Sequence, residues 1–346
     1  MGCRDDAQRG RGGDHHPPLA SDPRATPLPA PVPRAATRKR AVCIGINYGG
    51  SRAPLAGCVN DCLCVRHALT RRFGFPEASV VVLRDDAPSV DWFPTRANIL
   101  RALTWLSAGA RSGDSLFLSF SGHGTRVRDA DGDEADGWDE ALVPSDADAE
   151  GCLPDDELNQ RLVGTLPRGA RLHAVVDACH SGSALDLPFT ARLDASGATV
   201  RWVSAPARPV ARFRGTAGGV AVQFGACQDH QTAADTRELA GGVPTGAATY
   251  TFLDSIERHG SRQSYAQVLS HMSAALRDAT RPGVAEALAP AAGPLLAGAL
   301  MPGPSPLLAG LGLVRIVQGA RRLGAPGQVP QLSASCAFDL GARLAI

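Results

Sequence analysis

A thiol and an imidazole, each at the polar end of an apolar run, are the residues of this sequence best suited to chemistry. Leu172, Ala174, Val175 and Val176 lie in a short run rich in β-branched residues, which turns polar at Asp177, Cys179 and His180 and breaks at Gly182. Asp114 to Gly124 repeats the design: Leu116, Phe117, Leu118 and Phe120 lead into Ser121, Gly122, His123 and Gly124. Alternation along a strand puts Asp177 and Cys179 on one side, and Ser121 and His123 likewise. A free cysteine is only a few per cent thiolate at neutral pH; a neighbouring imidazole raises that fraction and can protonate a leaving amine. Taken singly, a cysteine ending an apolar run is more commonly a small buried hydrophobe, and a histidine before glycine a turn residue. The two together, in this order, point to a Cys/His site.

His123 precedes Cys179 by 56 residues, close to the roughly 50 residues typical of caspase-type proteases. Ser121, Gly122, His123 and Gly124, followed by Asp177, Ala178, Cys179, His180, Ser181 and Gly182, resemble the two active-site signatures of type I metacaspases. The resemblance runs from about residue 40 to 187, and resumes over 220–277 and 329–340. A caspase proper would read Gln-Ala-Cys-Arg-Gly at the cysteine, and this chain does not. The resemblance implies an α/β fold, a caspase-like three-layer α/β/α sandwich with a central, mostly parallel sheet. It implies a cysteine endopeptidase with Cys179 as nucleophile, His123 as general base and acid, and the backbone amides of Gly124 and Cys179 as oxyanion donors.

The same resemblance adds Asp61 and Ser121 to Asp177 as residues of the S1 pocket. Two carboxylates can hold a guanidinium in a fork or an ammonium as a point charge, and would repel an acidic side chain. The expected substrates are therefore proteins or peptides with Arg or Lys at P1. Asp61 also fits a plainer reading as a helix cap. Four further acids, Asp139, Asp155, Asp156 and Asp186, fall where the family binds calcium, a hard cation that takes six to eight oxygens. In plainer terms Asp155 and Asp156 are first-turn helix acids and Asp186 a loop residue. A non-proteolytic scaffold of the same fold, and a caspase-fold peptidase of the legumain or gingipain type, are the competing readings.

The elements that must position these residues alternate along the chain. Residues 40–46 and 79–83 read as strands. Between them Val59, Cys62, Val65, Leu69 and Phe73 recur at helical spacing, with Gly74 at the stop and Asn60 and Asp61 at the start. Thr95 caps a second helix carrying Ile99, Leu103 and Leu106. Strands and helices in alternation argue for a parallel sheet covered on both faces. The acidic loop 129–140 mimics an EF-hand at several positions, but Glu134 stands where glycine is needed and its flanks read as strands, so an EF-hand is rejected. Residues 141–144 read as a short strand, and Asp155, Asp156 and Glu157 open a helix. Residues 194–219 read as an exposed linker, in which self-processing would find Arg201, Arg208, Arg212 and Arg214, with Arg192 just before it. A strand at 220–225, helices near 248–258 and 264–277, and a closing segment at 329–333 complete the small-subunit-like part.

Composition bounds the rest. The 346 residues carry a net charge of +1, which favours neither nucleic acid nor a membrane surface as partner. Nine cysteines without regular spacing argue against a disulfide framework and for a reducing compartment, with a cytoplasmic location expected. Cys58, Cys62 and Cys64 lack zinc-type pairs and suit helix packing. Residues 1–38 are Pro-rich and expected to be a disordered prodomain, without a signal-peptide core; Met1-Gly2-Cys3 hints at lipidation, but Asp6 spoils the pattern. The peptidase domain is expected over 39–346, with the large-subunit-like part at 39–193 and the small-subunit-like part at 220–346. It includes a low-complexity insertion at 282–326, whose prolines interrupt any membrane-spanning helix. A monomer is expected.

Overall fold

The computed structural model describes residues 38–130, 132, 137–178, 184–194, 199–203, 215–227, 245–280 and 329–346. Its centre is made by short, mostly apolar runs that are buried on both faces. In β3 (Ser115–Ser121) all seven residues are buried, and in β7 (Arg171–Asp177) the five interior ones are. Strands of this kind need cover on both sides. They pair in parallel with each other, and on their outer sides β3 pairs in parallel with β1 (Lys39–Gly45) and β7 with β10 (Val220–Cys227). Four further strands, β2 (Val80–Arg84), β11 (Val329–Ala334), β8 (Phe189–Leu193) and β9 (Val200–Val203), complete an eight-stranded sheet in the order β2-β1-β3-β7-β10-β11-β8-β9. The last three pairings, from β10 outward, are antiparallel.

Alternation along each strand divides the core in two. Ala41, Cys43, Phe117, Val175 and Phe224 face α1 (Cys58–Arg72), α5 (Ala247–His259) and α6 (Tyr265–Thr280), packing on Cys62, Val65, Leu69, Phe252, Leu269 and Met272. Val42, Ile44, Leu118, Phe120, Ala174 and Val176 face the other way. They pack on Ile99, Leu103 and Leu106 of α2 (Arg96–Ser107), and on Leu158, Leu162 and Val163 of α4 (Asp155–Leu158) and the π turn that continues it. The result is the expected caspase-like three-layer α/β/α sandwich. Thr95 caps α2 as read from the sequence, its hydroxyl accepting from the Asn98 N–H at 3.2 Å. Cys58, Cys62 and Cys64 are buried, free thiols of α1.

Because β1 is followed by β2 on one side and β3 lies on the other, the chain direction switches between β1 and β3. Open α/β sheets bind ligands outside the carboxyl ends of strands at such a point. There the chain leaves β3 at Ser121 and turns through Gly122 and His123 into a second, three-stranded antiparallel sheet of β4 (Gly124–Arg128), β5 (Trp138–Leu142) and β6 (Leu153–Pro154). The acidic loop 129–140 is thus flanked by strands and not by EF-hand helices. Alpha-helix α3 (Ala147–Glu150) is a single turn before β6.

Two expectations are corrected. The strand read at 141–144 is β5 and starts earlier, at Trp138. The stretch read as a linker holds β9, a full member of the sheet paired with β8 through Arg192↔Arg201 and Leu193↔Val200. Its period-2 alternation over four residues, between segments rich in Pro, Gly and Ala, is too short to stand out in sequence. Arg208, Arg212, Arg214 and the segment 282–326 lie outside the described residues. Among the described residues no helix is long and apolar enough to cross a membrane.

Candidate active site

The register of the central sheet sets the first part of the site. Ser121 ends β3 opposite Asp177, which ends β7, and Gly45 ends β1 on the other side of Ser121. Asp61 enters from the first turn of α1, which packs beside these strand ends. Its carboxylate is 1% exposed. Oδ2 accepts from the Ser121 hydroxyl at 2.7 Å and from the Gly246 N–H at 2.9 Å, and Oδ1 accepts from the Thr245 hydroxyl. Asp61 is therefore no helix cap. The N-terminus of α1 is capped from the loop after β1, where Asn47 Oδ1 accepts from the N–H groups of Cys58 and Val59 at 3.0 and 3.3 Å.

Asp177 meets the start of α5. Its Oδ2 accepts from the Thr249 N–H at 2.7 Å. Gly246, the N-cap of α5, has no side chain to cap its own helix, and a Cβ there would lie 2.3 Å from the Asp177 carboxylate. Asp177 supplies from a distant strand the capping oxygen that α5 lacks. Burial drives the Asp61 carboxyl up to about 8, with the neighbouring Asp177 charge adding to the rise and the three donors opposing it. Burial also raises Asp177, while the α5 backbone donors pull it back. Among the described residues, no cation of the chain pairs with either. Asp61, Ser121 and Asp177, gathered from three elements, thus form one buried acidic cluster.

His123 stands at the corner between the two sheets, half-buried. It does not continue the alternation of β3, because the strand ends at Ser121: Ser121 turns to Asp61, while His123 Nε2 lies 2.7 Å from the carbonyl of Ala53. A carbonyl only accepts, so Nε2 carries the proton in the neutral ring and Nδ1 keeps its lone pair free to act as a base. The corner is tied to the pocket by the Gly122 N–H, which donates to the Asp177 carbonyl at 3.1 Å. Gly124 faces Leu142 across the small sheet, and the neighbouring Val143 N–H donates to the His123 carbonyl at 3.1 Å. In an antiparallel ladder this makes Gly124 and Leu142 a non-hydrogen-bonded pair, with the Gly124 N–H directed away from β5. That is the disposition an oxyanion donor requires. Cys179, with His180, lies outside the described residues, two positions beyond Asp177 in sequence.

The four acids expected to hold calcium belong to a separate neighbourhood. Asp139 lies in β5, Asp155 and Asp156 open α4, and Asp186 follows β7 with its backbone in the left-handed region at φ 46°. Asn159 holds that turn by donating to the carbonyls of Leu185 and Asp186 at 2.9 and 3.1 Å. Burial pushes the Asp155 carboxyl up to about 9, with Asp186, Glu140 and Asp139 adding their charges. Asp155 also accepts from the Asp156 N–H at 2.9 Å. The chemistry of this oxygen-only set suits a hard cation. Among the described residues, however, no three His, Cys, Asp or Glu side chains stand close enough to form a ligand shell. The acids sense one another's charge without converging.

Sequence reasoning missed Asn47, Ala53, Glu140, Thr245, Gly246 and Thr249. One signal was available: α5 opens with Gly246 and no Ser, Thr, Asp or Asn at its cap, which implies a cap from elsewhere. Nothing in the sequence singles out Ala53, since only its carbonyl is used.

This geometry agrees with comparison to known proteins. A family model for the metacaspase, peptidase C14 domain matches residues 39–188. Metacaspase-1 of Arabidopsis thaliana is 37% identical over 340 residues, covering 93% of this chain and 87% of that protein. The chain belongs to the metacaspase family. It is thereby a cysteine-type peptidase acting on protein substrates, as the two strand-end motifs indicated. Metacaspase-3 of Arabidopsis thaliana is 43% identical over 253 residues, 73% of this chain and 68% of that one. Metacaspase-2 of the same plant is 42% identical over 70% of this chain, which spans 57% of that protein's length. A solved Geobacter sulfurreducens protein shares the fold at a TM-score of 0.52 and 20% identity, over 89% of this chain and 98% of that one.

Proposed function

We propose that this metacaspase is an endopeptidase that cleaves after Arg or Lys through a Cys179/His123 dyad, with calcium as activator. The observation that carries the specificity is the buried pair Asp61 and Asp177, which has hydrogen-bond donors but no cation of its own among the described residues. A buried carboxylate pair without a positive partner is costly. A P1 guanidinium or ammonium would supply that partner, and each carboxylate keeps acceptor sites beyond the donors it already meets.

His123 Nδ1, the nitrogen left unprotonated by the Ala53 carbonyl, is the base that takes the Cys179 thiol proton. The thiolate attacks the scissile carbonyl, and the tetrahedral oxyanion is received by the backbone N–H groups of Gly124 and Cys179. One such donor is typically worth about 3 kcal/mol of transition-state stabilisation. Collapse expels the amine, which leaves with the proton from His123, and water then hydrolyses the thioester with His123 as base. Asp139, Asp155, Asp156 and Asp186 are the residues that would hold calcium, which would have to draw together carboxylates that here feel one another's charge without converging. Their support is a buried Asp155 at the start of α4 that feels the charges of Asp139, Glu140 and Asp186, the last of these on the loop that follows β7.

The test is a set of peptides identical except at P1 (Arg, Lys, Leu or Asp), given to the wild type and to Cys179→Ala. Turnover confined to Arg and Lys, and lost in Cys179→Ala, is expected. Equal cleavage after Asp would refute the pocket assignment, and turnover by Cys179→Ala the nucleophile.

A further inference from the structure

Between the Ala53 carbonyl and the pocket, His123 meets one more side chain. Tyr48 lies three residues beyond the end of β1, and its ring centroid is 4.5 Å from that of His123, at an interplanar angle of 36°. Its hydroxyl accepts from the His123 backbone N–H at 2.9 Å and donates to the Val143 carbonyl at 2.6 Å. In a regular antiparallel ladder His123 and Val143 would exchange two hydrogen bonds. Only the Val143 N–H to His123 carbonyl bond is direct, at 3.1 Å; the Tyr48 hydroxyl is inserted into the other.

Other details keep the hydroxyl in that rung. A Cβ at Gly122 would stand 2.8 Å from it. The Tyr48 backbone sits in the left-handed region at φ 51°, an unusual place for a bulky residue, and its N–H is bound by the Asp85 carboxylate at 2.7 Å. We infer that Tyr48 is a positioning residue for His123: the hydroxyl fixes the backbone where the chain leaves β3 for β4, and the ring fixes the imidazole. The inference rests on the reading of His123 as the catalytic base.

The two roles separate in two variants. Tyr48→Phe keeps the ring and loses the hydroxyl. Its kcat, counted per alkylatable Cys179, should fall about tenfold to a hundredfold, as small misplacements of a catalytic group do, while KM for a basic-P1 peptide stays within about twofold. Tyr48→Leu loses the ring as well. Its kcat per alkylatable Cys179 should fall further than that of Tyr48→Phe, with KM again within about twofold. His123→Ala is the control. If it keeps wild-type turnover, the catalytic reading and this inference both fail. If it is inactive while Tyr48→Phe keeps wild-type kcat, only the inference is overturned. A fall in turnover matched by an equal loss of alkylatable thiol in both variants would make Tyr48 merely structural and would also overturn it.

Discussion

Replacing Asp61 by asparagine removes an ionisable carboxyl from the acidic pocket and leaves its shape. The asparagine oxygen can take the place of Oδ2, accepting from Ser121 and Gly246, while its NH2 turns to Thr245, whose hydroxyl can accept. The carboxyl it replaces has an ordinary value of 3.8 and is held up to about 8 in the folded chain. Between these values the folded state binds a proton that the unfolded state has lost, so Asp61 makes stability fall as pH rises through this window. The cost is absent below about pH 4 and complete above about pH 8. At pH 7 it has a ceiling of about 4 kcal/mol, at 1.36 kcal/mol per pH unit; entry of water and relaxation of the pocket lower this to about 2 kcal/mol. Asp61→Asn should therefore melt about 5 °C above the wild type near pH 7.5, taking about 2–4 °C per kcal/mol for a chain of this size. The gap should shrink steadily as pH falls and close below about pH 4. In the same variant kcat/KM for an Arg peptide should fall by about a hundredfold, since one of two buried charge partners is lost. Melting curves across pH, with the variant always compared with the wild type in the same buffer, make the test. A difference in melting temperature that is zero throughout, or that shrinks as pH rises, would refute the account of a buried carboxylate kept unpaired for substrate.

Gly246→Ala places a Cβ against the Asp177 carboxylate and must push α5 off the pocket, at about 1–3 kcal/mol in stability and about a hundredfold in kcat/KM for Arg peptides; normal kinetics would show that the contact does not shape S1. Self-cleavage is expected after Arg208, Arg212 or Arg214 and not after Arg192 or Arg201, because the latter two lie in paired strands and Arg192 also holds Gln331 at 2.6 and 3.1 Å. Terminal sequencing of incubated protein checks this, and new ends after Arg192 or Arg201 would contradict it. Chelation of calcium should abolish peptide turnover, with magnesium restoring little because its small octahedral shell loses water reluctantly. Asp186→Ala should lose that calcium response while Cys179 still reacts with iodoacetamide, and full activity in excess chelator would count against the metal's role.

Local signals made much of the scaffold legible. The mostly apolar runs ending in Ser121 and Asp177, in a chain where strands and helices alternate, argued for a sheet covered on both sides, and α1 and α2 announced themselves by helical spacing, with a capping threonine at α2. The motifs Ser121 to Gly124 and Asp177 to Gly182 pointed to the family before any contact was known. The β8–β9 hairpin was hidden because a four-residue strand at a sheet edge carries little periodicity, and among the described residues the remaining sheet pairs with it only through β11.

The sequence alone could not say what surrounds each site residue. Asp61 could have been a helix cap; it is a pocket acid because α1 packs where β1, β3 and β7 end, and because α5 brings Thr245 and Gly246 to it across 184 and 185 positions. The tautomer of His123 depends on a backbone carbonyl, and its backbone position on a tyrosine 75 residues earlier, neither of which leaves a pattern along the chain. Residue types and local spacing determined which groups could do the chemistry, since these follow from side-chain chemistry and strand or helix periodicity. Strand order and register determined which carboxylates share a buried pocket and which nitrogen of His123 is free, because burial and hydrogen bonding arise only between segments that the fold brings together.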